Sequence, residues 1–464
     1  MPEAAVATLQ AWIDDHQTEM LDTFRTLLRF PSIESEAKPG APFGQENREA
    51  LDYMLGLGTA WGMRTKDLEG YCGYAEFGEG DRLIMSLGHL DVVPVGPGWK
   101  HEPFGAEIDD GYVYCRGAVD DKGPTIASFY AMRAIKECLP HVPARMRSVF
   151  GCDEESGFEC VHRYVQTEEA PTYGIAPDSG WPLYYAEKGI ANMEVRRPRI
   201  KGDVEFLDIR GGQRLNIVID HCESKIRVAA SARPHVEAAL ADSWDKNLTF
   251  AWEGDVLNIV ATGKAAHGST PFQGDSAAIR VLRFLKEIVP VASEGEYNRL
   301  FETTHIGGEG LGLSGADDVS KGLSCNLGVI AVEGDEIVLK FNIRYPVTWT
   351  GSDVRDRVIR FCEESADDFR MTEFDDSAPL YFPLEHPLVA TICDVYKEET
   401  GDDRRPGVLG GGTYARAVPN TVSVGTGWEG DGRAHETDER LKIEHLYRMS
   451  RIYAHMLYRL AMLP

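Results

Sequence analysis

Histidine and acidic residues stand directly after short apolar stretches of this sequence. His89 and Asp91 follow the stretch 82–87, and Asp153-Glu154-Glu155 follows the stretch 147–150. If these stretches are strands of an open α/β sheet, the polar side chains lie at the carboxyl ends of the strands, where such sheets place their sites. Imidazole and carboxylate groups are ligands for divalent metals, so this pattern indicates metal-assisted chemistry.

Three further motifs carry the same residue types. Asp120 and Asp121 lie in a turn ahead of a predicted helix, Asp178 lies in Pro177-Asp178-Ser179-Gly180, and His435 lies close to the C-terminus. Each motif alone also fits a structural role. For the two adjacent aspartates, an N-cap would account for one of them. The second aspartate is harder to explain in this way, because adjacent carboxylates repel each other unless a cation lies between them.

Taken in chain order, the five motifs resemble those of the co-catalytic metallopeptidases, a family that includes PepV-type dipeptidases, carnosinases, aminoacylase and succinyl-diaminopimelate desuccinylase. The resemblance covers essentially the whole chain. It implies that His89 and Asp178 bind one metal ion. It implies that Glu155 and His435 bind a second ion, and that Asp120 bridges the two.

The same resemblance implies the roles of the remaining residues in these motifs. Glu154 is expected to be the general base, and Asp91 is expected to orient His89. The order of the two glutamates comes from the resemblance, because spacing alone cannot decide it. The peptide bond between Asp120 and Asp121 is expected to be cis.

The ligand types also limit the metal. Carboxylate and imidazole ligands suit zinc, with manganese or cobalt as alternatives, and two such ions about 3.5–4 Å apart lower the pKa of a water between them. No cysteine belongs to the predicted ligand set, which argues against a closed structural zinc site.

The middle of the chain offers candidates for substrate binding. By the resemblance, His267 in Ala265-Ala266-His267-Gly268-Ser269 donates a hydrogen bond to the tetrahedral oxyanion. The resemblance likewise implies that Arg344 binds a substrate carboxylate and that Asn216 assists it. Gly411 and Gly412 lie in a glycine-rich loop that is expected to line the substrate cleft. Residues 410–415 also match the GxGxxA pattern of a dinucleotide-binding loop. Such a loop would follow a first strand and precede an acidic residue, whereas this one lies near the C-terminus.

Apolar periodicity predicts the elements that position these motifs. Helices are expected at about 5–30, 45–61, 124–137, 277–289, 387–398 and 443–460, and strands at 82–87, 112–115, 147–150, 189–197, 215–219, 256–262 and 337–344. The predicted fold is α/β. A mixed-sheet catalytic domain flanked by helices, 1–188 and 375–464, contains an inserted α+β lid domain, 189–374.

Composition limits the class of protein. There are 48 basic and 74 acidic residues, a formal charge of −26, which disfavours nucleic acid and anionic membranes as partners. No stretch is long and apolar enough to span a bilayer, and the nine cysteines form no CxxC pair. We therefore expect a cytoplasmic protein.

The size of the inserted domain, together with the resemblance in length to the PepV-type members of the family, favours a dipeptidase that acts on small peptides as a monomer, with a dimer as the alternative. Within the same chemistry, the alternative function is an N-acyl amino-acid deacylase of the aminoacylase or desuccinylase type. A non-catalytic binding module would require loss of the base or of a ligand, yet every expected position is filled. Turnover of free dipeptides against acylated amino acids distinguishes the first two functions.

Overall fold

The computed structural model describes residues 2–139, 141–243, 245–289, 291–365 and 368–464. The chain forms two compact units. The first comprises Met1–Tyr185, Phe382–Gly407 and Gly412–Pro464, and the second comprises Ala186–Tyr381 and Val408–Gly411. The second unit thus includes 408–411, a segment predicted to belong to the catalytic domain. The function of the second unit as a lid stays a prediction.

The helices and strands alternate along the chain. The helices are α1 (Pro2–Asp15), α2 (Gln17–Leu28), α3 (Gln45–Ala60), α4 (Lys122–Cys138), α5 (Glu159–Thr167), α6 (Arg233–Asp242), α7 (Ala277–Ile288), α8 (Val291–Glu302), α9 (Gly351–Glu364), α10 (Pro387–Thr400) and α11 (Ile443–Ala461). The strands are β1 (Arg64–Leu68), β2 (Cys72–Phe77), β3 (Leu83–His89), β4 (Glu107–Asp109), β5 (Tyr112–Tyr114), β6 (Arg145–Gly151), β7 (Tyr173–Ser179), β8 (Leu183–Glu187), β9 (Gly189–Pro198), β10 (Val204–Gly211), β11 (His221–Val228), β12 (Leu248–Glu253), β13 (Val256–Thr262), β14 (Ala316–Asp317), β15 (Lys321–Gly322), β16 (Ser324–Glu333), β17 (Glu336–Tyr345), β18 (Arg370–Ser377), β19 (Leu380–Tyr381), β20 (Gly407–Leu409), β21 (Thr421–Gly425) and β22 (Arg440–Lys442).

The first unit is built on a mixed sheet. Its strands run in the order β1-β2-β6-β3-β7-β21-β8. The central strands β6, β3, β7 and β21 are parallel to one another, whereas the pairs towards both edges are antiparallel. Every residue of β3 is buried, as expected for a parallel strand that is covered on both faces. The predicted α/β class with a mixed sheet is confirmed.

Helices cover this sheet, and one predicted helix is in fact two. The α4 helix is buried along most of its length and contacts both β3 and α11. The helix expected over 5–30 is wrong as a single element, because α1 ends at Asp15 and α2 begins at Gln17. Between them His16 leaves the helical conformation, and its ring stacks on Trp12 with the centroids 3.7 Å apart. The apolar spacing continues through this break, so periodicity does not reveal it.

The strand predicted at 112–115 lies outside the main sheet. It forms β5, the middle strand of a small antiparallel sheet in the order β22-β5-β4. This small sheet pairs residues 440–442 with 112–114. Two segments that are distant in sequence, one leading to the adjacent aspartates and one following His435, are thereby joined.

The second unit is an antiparallel sheet with helices. Its strands run in the order β12-β13-β11-β10-β16-β17-β9-β18, and β11 alternates strictly between exposed and buried residues. The strand predicted at 215–219 is wrong, because this segment forms only an isolated bridge between Ile217 and His267. The Asn326 side chain donates to the carbonyls of Leu215 and Ile217, which replaces ladder pairing on that side.

Candidate metal centre

Three neighbouring parallel strands deliver polar side chains to one edge of the first unit's sheet. His89 is the last residue of β3, Glu154 and Glu155 follow the end of β6, and Asp178 lies next to the last residue of β7. Because β6, β3 and β7 are adjacent and parallel, their carboxyl ends lie at the same edge. The convergence therefore follows from the sheet topology.

Two loops bring the remaining residues to this edge. Asp120 precedes α4, and His435 lies in the segment after β21, which is the parallel neighbour of β7. The Asp120 carboxylate lies between two imidazoles: Oδ1 is 3.0 Å from His89 Nε2 and Oδ2 is 3.1 Å from His435 Nε2. One carboxylate thus contacts both predicted metal-binding histidines, as a bridging ligand requires. The peptide bond between Asp120 and Asp121 is cis, as expected.

The two adjacent glutamates have different neighbours. Glu155 Oε1 lies 3.0 Å from His435 Nε2. Glu154 belongs to a different group, in which its ligand atom and those of His89 and Asp178 all lie within 4.8 Å of one another. His89, Asp120 and Glu155 form a second group that meets the same limit. The position of Glu155 beside His435 is compatible with its predicted role as a ligand.

The electrostatics of the centre favour positive charge on the imidazoles. Hydrogen bonds to Asp120 and Glu155 raise the pKa of His435 to about 10. Burial alone would raise the pKa of Asp120, but hydrogen bonds from His435 and His89 lower it. Protons and metal ions compete for such histidine nitrogens, so metal binding here must weaken as the pH falls.

Asp91 contacts both histidine and glutamate motifs. Its main-chain oxygen lies 2.9 Å from His89 Nδ1, so Nε2 is the nitrogen that faces Asp120. Its side-chain Oδ2 accepts the main-chain N–H of Glu155 at 3.0 Å. Fixing one imidazole nitrogen by a hydrogen bond sets the tautomer that the other presents to a metal. The orienting role of Asp91 stays a prediction. Both its main-chain carbonyl and its carboxylate contact His89 Nδ1, and the contact of the carbonyl is the shorter.

Asp153, the first acid of the run 153–155, has a structural role. Its carboxylate accepts the main-chain N–H groups of Gly157 and Glu159, both at 2.9 Å. Burial raises its pKa to about 6. Main-chain N–H groups therefore satisfy the Asp153 carboxylate, and Asp153 needs no metal ion to account for its burial.

One buried acid of the centre is missing from the predicted site. Glu439 is 1% exposed, and its carboxylate accepts the main-chain N–H of Val119 at 2.8 Å and of Asp120 at 3.2 Å. In the sequence Glu439 ends an acidic run that looks like a solvated surface. Its position four residues after His435 is the only signal, and that signal does not distinguish a buried acid from an exposed one.

The second unit gathers most of the predicted substrate-binding residues. Asn216 and His267 are neighbours, since the N–H of Gly268 donates to the Asn216 carbonyl at 2.7 Å. Arg344 donates from Nε to Asn342 Oδ1 at 2.9 Å and from Nη1 to the Gly410 carbonyl at 3.1 Å.

The two glycines predicted to line the substrate cleft fall in different units. Gly411 belongs to the second unit and Gly412 to the first. A Cβ atom at Gly412 would lie 2.5 Å from the Arg416 side chain, so a larger residue here would have to displace that side chain. The substrate-binding roles of both glycines, and of Asn216, stay predictions.

Comparison with known proteins identifies the family. The family model described as peptidase family M20/M25/M40 matches residues 85–459, which include every predicted metal ligand. The chain belongs to this family. The resemblance predicted from the sequence is thereby confirmed, and this M20 peptidase is a metal-dependent hydrolase.

Relatives of this M20 peptidase match it over nearly their whole length. It is 36% identical over 460 residues to the "Putative dipeptidase YtjP" of Bacillus subtilis, covering 96% of this chain and 97% of the relative. It is 32% identical over 463 residues to a "Putative dipeptidase" of Staphylococcus epidermidis, covering 96% of this chain and 98% of the relative.

Solved structures share the fold of this M20 peptidase. Human carnosine dipeptidase 1 matches with a TM-score of 0.58 at 16% identity, covering 99% of both chains. The di-peptidase Dug1p from Saccharomyces cerevisiae matches with a TM-score of 0.58 at 15% identity, again covering 99% of both. At such identities the likeness shows the fold alone. Within the described part of the chain, no helix has the length and hydropathy that a membrane span requires.

Proposed function

We propose that this M20 peptidase is a dipeptidase that hydrolyses the amide bond of dipeptides or similar small peptides with two divalent ions and Glu154 as general base. The observation that carries the proposal is the convergence of His89, Asp120, Glu155 and His435. The Asp120 carboxylate lies within hydrogen-bonding distance of both histidines, and His435 also lies within that distance of Glu155. The names of the relatives support the dipeptide substrate. A cytoplasmic, monomeric enzyme belongs to the same proposal.

The donor set fits two divalent ions. His89 and Asp178 would hold one ion, Glu155 and His435 the other, and Asp120 would bridge them. Nitrogen and carboxylate donors without a thiolate suit zinc, manganese or cobalt. Four carboxylates crowded around two imidazoles repel one another, and cations relieve that repulsion. We propose zinc as the metal of this site.

The chemistry divides between the ions and the protein. When bound, two such ions lower the pKa of a water between them and polarise the scissile carbonyl. Glu154 would accept a proton from the attacking water and donate it to the leaving amine as the amide C–N bond breaks. Burial is the main cause that raises the pKa of Glu154, and the negative charge of Asp178 is the second. A base whose pKa approaches the working pH can accept a proton and release it again.

The hydrogen bonds of His267 support its proposed role as a donor to the oxyanion. Its Nδ1 accepts the main-chain N–H of Ser269 at 3.2 Å and lies 2.7 Å from the Ser269 hydroxyl. Nδ1 is therefore the acceptor nitrogen, which leaves the proton on Nε2. Burial is the main cause that lowers the pKa of His267, and the positive charge of Arg344 is the second. A neutral imidazole with a donor at Nε2 is the form that the role requires.

Metal removal and a substrate panel test the proposed function. Chelation is expected to abolish hydrolysis of free dipeptides, and added Zn²⁺, Mn²⁺ or Co²⁺ is expected to restore it. N-acetyl and N-succinyl amino acids are expected to be poor substrates in the same assay of released amine. Turnover of the acylated amino acids alone would instead identify a deacylase. A pure protein that cleaves neither class with any of these ions would refute the proposal.

Arg344→Lys is expected to raise KM for dipeptides about 10–100-fold with little change in kcat. Asn342 and the Gly410 carbonyl orient the planar guanidinium, and lysine cannot reproduce its paired donors to a carboxylate. A rise in KM at unchanged kcat is the signature of lost binding that is equal in the ground state and the transition state. Initial rates over a range of dipeptide concentrations measure both constants.

A dipeptide with an amidated C-terminus is the matched control for this variant. If Arg344 binds the substrate carboxylate, the amidated dipeptide is a poor substrate for the wild type, and Arg344→Lys worsens it no further. An equal loss on the free and the amidated dipeptide would show that the substitution acts without regard to the carboxylate.

A further inference from the structure

A single buried carboxylate organises the loop that presents Asp120. Glu439 Oε1 accepts the N–H groups of Val119 and Asp120, and Oε2 accepts the N–H of Gly117 at 3.2 Å. Three main-chain donors within four residues therefore converge on one side chain from the other end of the sequence. This arrangement fixes the path of the loop immediately before the bridging aspartate.

Arg116 connects the same carboxylate to the segment that presents His435. Its Nη1 donates to Glu439 Oε2 at 2.7 Å and to the Glu436 carbonyl at 3.3 Å. Its Nη2 donates to the His435 carbonyl at 3.4 Å and to the Pro94 carbonyl at 3.5 Å. The guanidinium thus contacts main-chain atoms on the segments that carry His435 and His89.

The burial of this ion pair suggests why it exists. The Arg116 and Glu439 side chains are 2% and 0% exposed. Removing two charges from water costs free energy that their attraction barely repays, so a buried pair is weak evidence for stability but can define a unique geometry. A role in geometry also fits His435, whose φ of 66° is uncommon for a residue other than glycine. Such a backbone persists only where its surroundings hold it.

We propose that Arg116 and Glu439 are positioning residues that hold Asp120 and His435 at the spacing needed to bind both metal ions. The pair contacts main-chain atoms beside these ligands and leaves their side chains free to bind the ions. This inference rests on the proposed function, because it assumes that Asp120 and His435 are metal ligands. Hydrogen-bonded partners of metal ligands typically change metal affinity or activity 10–100-fold when they are replaced.

Calorimetric titration of the metal-free protein with Zn²⁺ tests the pair. Glu439→Gln removes the charge at nearly constant shape, and it is expected to weaken Zn²⁺ binding about 10–100-fold. Arg116→Lys keeps the ion pair but loses the forked donors to three carbonyls, so weaker Zn²⁺ binding is expected again. If Glu439→Gln fails to fold, Arg116→Lys carries the test, because it retains both buried charges.

Glu76→Gln is the matched control. Glu76 accepts from Arg147 at 2.7 Å in the same unit, and the two side chains are 8% and 3% exposed. It is a second buried Arg–Glu pair, and neither partner belongs to the predicted site. Its loss is expected to lower the melting temperature of the metal-free protein and to leave Zn²⁺ affinity within about twofold, as for a site with no link to the ligands.

The outcomes separate this inference from the proposed function. Wild-type Zn²⁺ affinity in a folded Glu439→Gln or Arg116→Lys protein would overturn the positioning role. Equal weakening by Glu76→Gln would also overturn it, because general loss of stability would then explain the effect. A wild-type protein that binds no Zn²⁺ would refute the metal centre itself, whereas a wild type that binds Zn²⁺ and cleaves dipeptides leaves the proposed function intact in either case.

Discussion

Glu154→Gln is expected to lower kcat for dipeptides by about 10²–10⁴-fold while KM and Zn²⁺ affinity stay close to those of the wild type. A general base contributes a factor of this size, and glutamine cannot accept the proton of the attacking water. The substitution keeps the shape of the side chain, so the loss reports on proton transfer. Steady-state kinetics at saturating Zn²⁺ and a parallel Zn²⁺ titration measure the two effects separately.

The neighbouring glutamate provides the discriminating comparison. Glu155 lies 3.0 Å from His435 and is the proposed metal ligand, so Glu155→Gln is expected to weaken Zn²⁺ binding as well as activity. Glu159→Gln makes the same chemical change at an exposed position at the start of α5, and it is expected to keep kcat within about twofold. Full activity in Glu154→Gln, or lost Zn²⁺ binding in that variant alone, would reverse the assignment of the two glutamates.

The sequence predicts the convergence of His89, Glu154 and Asp178 better than it predicts the elements around them, and the reason lies in the sheet. Apolar runs that end in His89 or precede Glu154 identify strands whose carboxyl ends carry polar residues. Their convergence then requires only that those strands be parallel neighbours, as β6, β3 and β7 are. An error of one or two residues in a predicted strand boundary still leaves these side chains at the same edge of the sheet.

The errors lie where local pattern and tertiary pairing disagree. The apolar segment 215–219 has the composition of a strand. The Asn326 side chain, however, donates hydrogen bonds to two of its main-chain carbonyls, and no ladder forms. The break at His16 is invisible to periodicity, because the apolar residues on both sides continue to face the core. Hydrophobic spacing records which face is buried, and it does not record how the main-chain hydrogen bonds are satisfied.

The polar support of the metal centre is the least predictable part. Arg116 and Glu439 are separated by 323 residues and meet only in the folded protein. Single-sequence reasoning treats charged residues as exposed, because buried charges are uncommon unless they are paired. Whether a charged residue is paired depends on contacts that no local window contains. A role such as that proposed for Glu439 therefore emerges only from coordinates.

Asp120→Asn is expected to abolish turnover of dipeptides, and added Zn²⁺ is not expected to restore it. The two oxygens of Asp120 lie beside different histidines, Oδ1 beside His89 and Oδ2 beside His435. An asparagine side chain has one oxygen and one N–H₂ group, so it can bind an ion on one side only. Both the charge and the second donor are lost, and two ions can no longer share the residue.

Asp121→Asn is the control for this prediction, because it changes the adjacent aspartate in the same way. The Asp121 carboxylate accepts the main-chain N–H of His89 at 3.1 Å and the Thr125 hydroxyl at 3.0 Å, contacts that one amide oxygen can largely keep. Asp121→Asn is therefore expected to weaken Zn²⁺ binding by no more than about 10–100-fold, with activity recovered at excess Zn²⁺. Activity measured against Zn²⁺ concentration compares the two variants directly. Recovery of Asp120→Asn by excess Zn²⁺, with Asp121→Asn remaining inactive, would show that the bridging carboxylate belongs to the other aspartate.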